Sequence, residues 1–187
     1  MKRVGVSFGF FVSSASIAFL ADLATKAEIV RRLAPGSSVS VFGELVRISH
    51  VRNLGASFGL FPGSTAALIV VSSTAVLVVL YLALRSRGRL AAMAFLGLIL
   101  GGALGNLYDR VRLGEVVDFI DVGIGSHRWP VFNVADVAVT IGVFLMLLEY
   151  LRRGGESAGC SGGPEGEDER GKVTGGESGA GAPRPSA

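Results

Sequence analysis

Cysteine is nearly absent from this chain of 187 residues. Cys160 stands alone, so no intramolecular disulfide can form and no cluster of thiolates can hold a metal. Histidine is almost as scarce, and two imidazoles, His50 and His127, give little footing for zinc hydrolase chemistry. No Ser–His pair lies in reach of an apolar run, which leaves nucleophilic catalysis without its usual base. Aromatic residues make up 8% of the chain, and none is interleaved with a basic cluster, so nucleic acid is not an expected partner.

Apolar residues, by contrast, make up half of the chain, and the mean hydropathy is +0.54. They are gathered into runs. Four of these, at about 4–25, 64–84, 90–107 and 132–151, approach the roughly 20 residues that a membrane helix needs. Arg85, Arg87 and Arg89 link the second run to the third. Lys2 and Arg3 precede the first, and Arg152 and Arg153 follow the fourth. With four spans all three clusters share one side, so the positive-inside rule places both termini in the cytoplasm. Lys2 and Arg3 before an apolar run also suit a cleaved signal peptide. The run is long, however, and it closes on Asp22-Leu23-Ala24-Thr25-Lys26 where small residues would be needed, so it is expected to stay as the first span.

Between and beyond the runs the sequence changes character. Residues 35–62 alternate β-branched Val39, Val41, Val46, Ile48 and Val51 with turn-forming glycines, which predicts a small extracytoplasmic β-sheet between helices 1 and 2. Residues 111–130 are too polar to span and are expected to lie along the interface between helices 3 and 4. Gly97, Gly101 and Gly105 fall on one face of the third span and would admit a neighbouring helix closely. From Gly154 onward six acidic and three basic residues sit among Gly, Ser and Pro. Residues 154–187 therefore read as a disordered cytoplasmic tail, and 1–153 as the membrane-embedded domain. Ser157-Ala158-Gly159-Cys160 mimics a lipid-acceptor box, but no apolar segment closely precedes it. With the acidic tail set aside the formal charge of +3 becomes more positive, which suits anionic membrane lipids as neighbours.

This topology brings polar residues to one boundary of the bilayer. Asp22 and Lys26 end the first span and Asn53 lies in the outer loop. Asn106, Asp109 and Arg110 end the third span, Asp118 follows it, and Asn133 and Asp136 begin the fourth. The opposite boundary carries chiefly arginines. Asn106, Asp109 and Arg110 stand at i, i+3 and i+4, Asn133 and Asp136 at i and i+3, and Asp22 and Lys26 at i and i+4, each set sharing a helix face. Ionisable groups beside hydrocarbon pair, face a cavity or serve function. Two aspartates can activate water, since like charges at about 3 Å share one proton and split their pKa values. Asp118 and Asp136 are the candidates, with the N-terminal dipole of the fourth helix favouring an ionised Asp136. Asp109 is expected to partner Arg110, and Asp121 to be interfacial.

The same residues carry a family resemblance. Asp22-Leu23-Ala24-Thr25-Lys26, Arg52-Asn53-Leu54-Gly55-Ala56-Ser57-Phe58 and the stretch from Gly101 to Arg110 resemble, in order, the first three blocks of bacterial lipoprotein signal peptidases (signal peptidase II, peptidase A8). Val116-Val117-Asp118-Phe119-Ile120-Asp121 and Phe132-Asn133-Val134-Ala135-Asp136 resemble the last two. The resemblance implies an aspartic endopeptidase of the bacterial cytoplasmic membrane that cuts diacylglyceryl-modified prolipoproteins before the lipidated cysteine. It implies Asp118 and Asp136 as the catalytic pair, with Asp22, Lys26, Asn53, Gly55, Asn106, Asp109, Arg110 and Asn133 in support. It also implies an outward-facing site, no metal or organic cofactor, and a monomeric chain. A small proton-coupled transporter would use the same acids, but should carry polar residues through to the cytoplasmic face. A scaffold built on the glycine-lined helix would leave the polar cluster without a purpose.

Overall fold

A computed structural model describes residues 2–55, 64–86 and 88–159. Four helices, α1 (Lys2–Arg32), α2 (Thr65–Arg85), α3 (Leu90–Leu113) and α4 (Val134–Gly159), alternate with four strands. The strands are β1 (Ser38–Phe42), β2 (Val46–Asn53), β3 (Val116–Ile124) and β4 (His127–Arg128). Each helix holds a stretch long and apolar enough to cross a membrane. Their outer faces expose large apolar side chains such as Ile17, Leu20, Val70 and Leu77, which in hydrocarbon is the ordinary state of a lipid-facing side chain.

Helix α3 is the centre of the bundle, and its glycines explain why. A Cβ on Gly97 or Gly101 would run into the α1 backbone at Phe11 and Ala15, and one on Gly102 would meet the Ala135 carbonyl of α4. Hydrogen atoms at these positions let backbones approach, which is the main source of helix association where water supplies no hydrophobic drive. Ser14 of α1 adds a hydroxyl donated to the Ala94 carbonyl of α3 at 2.9 Å. Phe11, Val79, Met93, Leu96 and Leu100 form the apolar core around this axis.

Two helices outrun their apolar stretches at the end that carries the polar residues. Helix α1 continues past Thr25 to Arg32, and α3 continues past Leu107 to Leu113, so both carry their polar residues in regular helix. Gly114 ends α3 in the left-handed region at φ 77°, its N–H bonded to the Arg110 carbonyl, a backbone shape that glycine adopts freely. Helix α4 likewise runs to Gly159; the remainder of the acidic tail, with Cys160, lies outside the described residues.

The sheet has the strand order β1-β2-β3-β4, antiparallel throughout. Only half of it comes from the loop between α1 and α2. Residues 111–130, expected along the interface, supply β3 and β4, so the sheet joins the α1–α2 and α3–α4 connections. Strand β3 is buried on both faces from Val116 to Phe119, which removes the apolar–polar alternation that marks a strand in sequence. His50 fastens the sheet to α1: its Nδ1 lies 2.8 Å from the Leu33 carbonyl just beyond the helix end.

Candidate active site

The end of the bundle under the sheet holds the polar residues. Asp22, Lys26, Asp109, Asp118 and Asn133 are all buried there. Their hydrogen bonds form one connected system. Lys26 Nζ lies 2.7 Å from Asp22 Oδ2, 2.9 Å from Asp109 Oδ2 and 3.0 Å from Asn106 Oδ1. The buried cation is thus met by two carboxylates and an amide oxygen, as burial of a cation demands. Asp22 also accepts the backbone N–H of Ala135 at 2.8 Å, a donor in the first turn of α4 that no helix carbonyl can satisfy.

Asn133 links the two candidate acids. Its side-chain amide donates to Asp118 Oδ1 at 2.6 Å and to Asn106 Oδ1 at 3.1 Å. Its Oδ1 accepts the N–H of Asp136 at 3.1 Å, and Asp136 Oδ2 accepts the N–H of Asn133 at 3.2 Å. This is a reciprocal helix cap. Asp136 Oδ1 takes a further bond from Asn106 Nδ2 at 2.8 Å, and Asp118 Oδ2 one from Asn53 Nδ2 at 2.8 Å. The strand register explains the Asn53 contact. Val51 pairs with Asp118 and Asn53 with Val116, so Asn53 is the diagonal neighbour of Asp118 on one face. Gly55 donates its N–H to Asn53 Oδ1 at 3.0 Å, which fixes the amide so that its NH2 faces the acid.

The two carboxyls are therefore joined through one residue, Asn133, whose side-chain amide donates to Asp118 and whose backbone N–H donates to Asp136. Burial, opposed by the Asn53 hydrogen bond and assisted by the negative charge of Asp136, pushes the Asp118 carboxyl up to about 6.

A cavity of about 640 Å³ opens between α2, α3 and α4. Asn106, Arg110 and Asp136 line it, with apolar Val71, Ala103 and Val139. Asp118 is behind this lining, reached through Asn133. The Arg110 guanidinium has no carboxylate within ion-pair distance among the described residues. Among those residues it bonds the Asn106 carbonyl at 3.3 Å and Ser72 Oγ at 3.4 Å, and its buried Nε has no partner among them. The expected Asp109–Arg110 pair does not form, because consecutive helix residues point about 100° apart. Asp109 turns to Lys26, and also accepts the Val117 N–H at 3.4 Å. Asp121 takes no part in this system. It lies on the other face of β3 from Asp118, 2.6 Å from Arg128 Nε and 3.2 Å from Ser49 Oγ.

Phe132, from the last sequence block, also lines the cavity, as do Ser72 and Trp129, which the sequence pattern does not mark. Trp129 is the chain's single tryptophan and stands just before the fourth apolar run, which is the signal that could have marked it. Among the described residues no three His, Cys, Asp or Glu side chains are grouped so as to hold a metal ion.

Comparison with known proteins follows the same lines. The family model for signal peptidase (SPase) II matches residues 14–152. A lipoprotein signal peptidase of Geobacter sulfurreducens is 45% identical over 136 residues, covering 70% of this chain and 84% of that protein. One from Geobacter metallireducens is 39% identical over 153 residues, covering 78% and 93%. A solved bacterial membrane enzyme, obtained by the in meso method, superposes with a TM-score of 0.72 at 31% identity, covering 86% of this chain and 95% of that one. Every residue of the polar system described above falls within the matched segment, and the chain belongs to the signal peptidase II family of bacterial multi-pass membrane peptidases.

Proposed function

We propose that this chain is an aspartic endopeptidase that frees diacylglyceryl-modified prolipoproteins of their signal peptides, cutting before the lipidated cysteine. The observation that carries the aspartic reading is the bridge through Asn133, which holds two acids from different elements in one buried system beside an apolar-walled cavity. Asp118 and Asp136 then work on one water molecule. Asp136, which lines the cavity, takes the proton of the attacking water. Asp118, whose burial favours its protonated form, supplies a proton to the leaving amine. Coupling between the acids makes the measured pKa values properties of the pair.

Arg110 and Asn106 face the same cavity, and Arg110 has donors to spare for carbonyls of a bound peptide. Lys26, with Asp22 and Asp109, supports the site from behind by fixing Asn106. Apolar side chains of α2 and α4 on the cavity wall suit acyl chains of the substrate. The arginines at the opposite ends of the helices favour cytoplasmic termini and an outward-facing site. On this reading residues 1–153 are the membrane domain, acting as a single chain, and 154–187 a cytoplasmic tail. The transporter alternative has no support from the family match.

The test is processing of a lipidated precursor by Asp118→Asn and Asp136→Asn variants with verified membrane insertion. Each should lose at least 100-fold in rate, the scale of a lost general acid or base. A well-inserted variant of either kind with full activity would refute the pair.

A further inference from the structure

Behind the polar system, on the face away from the large cavity, α1 and α3 leave a groove of about 350 Å³. Its lining changes character along its length. Leu23, Ala27 and Val30 stand at i, i+4 and i+7 on α1 and give it an apolar wall. Tyr108 forms the deep end, its ring edge-on to Phe19 at 6.2 Å between centroids. Arg31 and Arg112 stand at the mouth, where both helices leave the apolar layer.

The mouth is basic. Arg112 lies over the Tyr108 ring at 5.8 Å and bonds its hydroxyl at 3.1 Å, but has no carboxylate within ion-pair distance among the described residues. Arg31 and Arg32 share a single acid, Glu28. The mouth thus carries two arginines, Arg31 bonded to Glu28 and Arg112 without a carboxylate among the described residues, above an apolar channel that descends toward the membrane centre. That sequence of cation then hydrocarbon is the complement of a phosphate joined to an acyl chain.

We propose that this groove binds one anionic phospholipid from the leaflet at which α1 ends, its phosphate between Arg31 and Arg112 and one acyl chain along Leu23, Ala27 and Val30. The back wall of the groove is the Lys26–Asp109 pair, so a lipid here also covers that buried pair from the side opposite the proposed substrate cavity. The site does not depend on the peptidase reading, and its test does not use activity.

The full chain is reconstituted in nanodiscs of equal phosphatidylglycerol and phosphatidylcholine, released, and examined by native mass spectrometry for retained lipid. One phosphatidylglycerol should be retained at least fivefold in preference to phosphatidylcholine. Arg31→Gln with Arg112→Gln should abolish the preference. Ala27→Phe fills the groove while keeping its charges, and should remove the retained lipid itself. Arg32→Gln, which removes one positive charge outside the lining, should leave retention within twofold of the parent. Equal retention of both lipids by the parent chain overturns the proposal. So does loss in only one of the two groove variants, or an Arg32→Gln effect as large as theirs.

Discussion

Asn133 and Asp136 hold one another in place: each accepts the other's backbone N–H, at 3.1 and 3.2 Å, in the first turn of α4. The same asparagine uses its side-chain NH2 to reach Asp118. Structural and chemical roles therefore meet in one residue but use different atoms, the oxygen for the cap and the nitrogen for the bridge. Asn133→Ala removes both and should cost about 1–2 kcal/mol for the lost cap, together with most activity. Asn133→Ser keeps a capping oxygen and loses the bridging donor. It should melt within about 0.5 kcal/mol of the parent while processing falls as far as in the alanine variant. Equal activity of the serine variant and the parent would show that the bridge is dispensable.

Lys26 sits between Asp22 and Asp109 with both partners buried. Removing the cation leaves two carboxylates facing each other out of water. Lys26→Met should therefore destabilise the chain by about 3–5 kcal/mol. Adding Asp109→Asn should recover part of that, because one uncompensated charge is gone. Thermal melts of the two single variants and the double variant measure the coupling. A strictly additive result would mean that the three groups do not act as a unit.

How far these features are legible in the sequence depends on whether they follow a period. The four spans do, because apolar runs near bilayer length are their own signal. Asp22 and Lys26 stand one helical turn apart, so their meeting follows from spacing. The lysine's other partner does not: Asp109 lies 2.9 Å from Lys26 on a different helix, and adjacency to Arg110 in sequence pointed the wrong way. Strands β1 and β2 announce themselves by β-branched residues between glycines. Strand β3 is buried on both faces at its start and carries two acids, so it reads as neither strand nor span. The Asn53–Asp118 bond depends on the β2–β3 register, which no local pattern supplies.

Gly105 presses on the site more closely than a packing role suggests. A Cβ there would stand 2.5 Å from Asp22 Oδ2, the oxygen that holds Lys26. Gly105→Ala should displace Asp22, weaken the Ala135 and Lys26 contacts and cost about 1–3 kcal/mol as an overpacked contact, with a loss of processing. Gly5 offers the contrast within the same membrane domain. A Cβ there meets nothing within 4 Å, so Gly5→Ala should be neutral or stabilise by up to about 1 kcal/mol through helix propensity. Similar melting and activity for both alanine variants would rule out the steric account.

Asp118 carries the prediction with a definite pH signature. Burial is the largest cause of its raised value, from 3.8 to about 6, with Asn53 opposing and the charge of Asp136 adding. A carboxyl whose folded pKa exceeds its unfolded one binds more protons in the native state across that interval. Native stability from this group is therefore full below about pH 4, declines as pH rises toward 6, and stays reduced above. The ionised form costs the fold up to about 3 kcal/mol at neutral pH. Asp118→Asn removes that cost, but its NH2 would face one of the two donor amides of Asn53 and Asn133, so about 1–2 kcal/mol of net gain is expected. The variant should be inactive, melt above the parent at pH 8, and lose that advantage by pH 4. A variant that melts below the parent at pH 8, or by a margin independent of pH, would show that Asp118 is not held at the fold's expense.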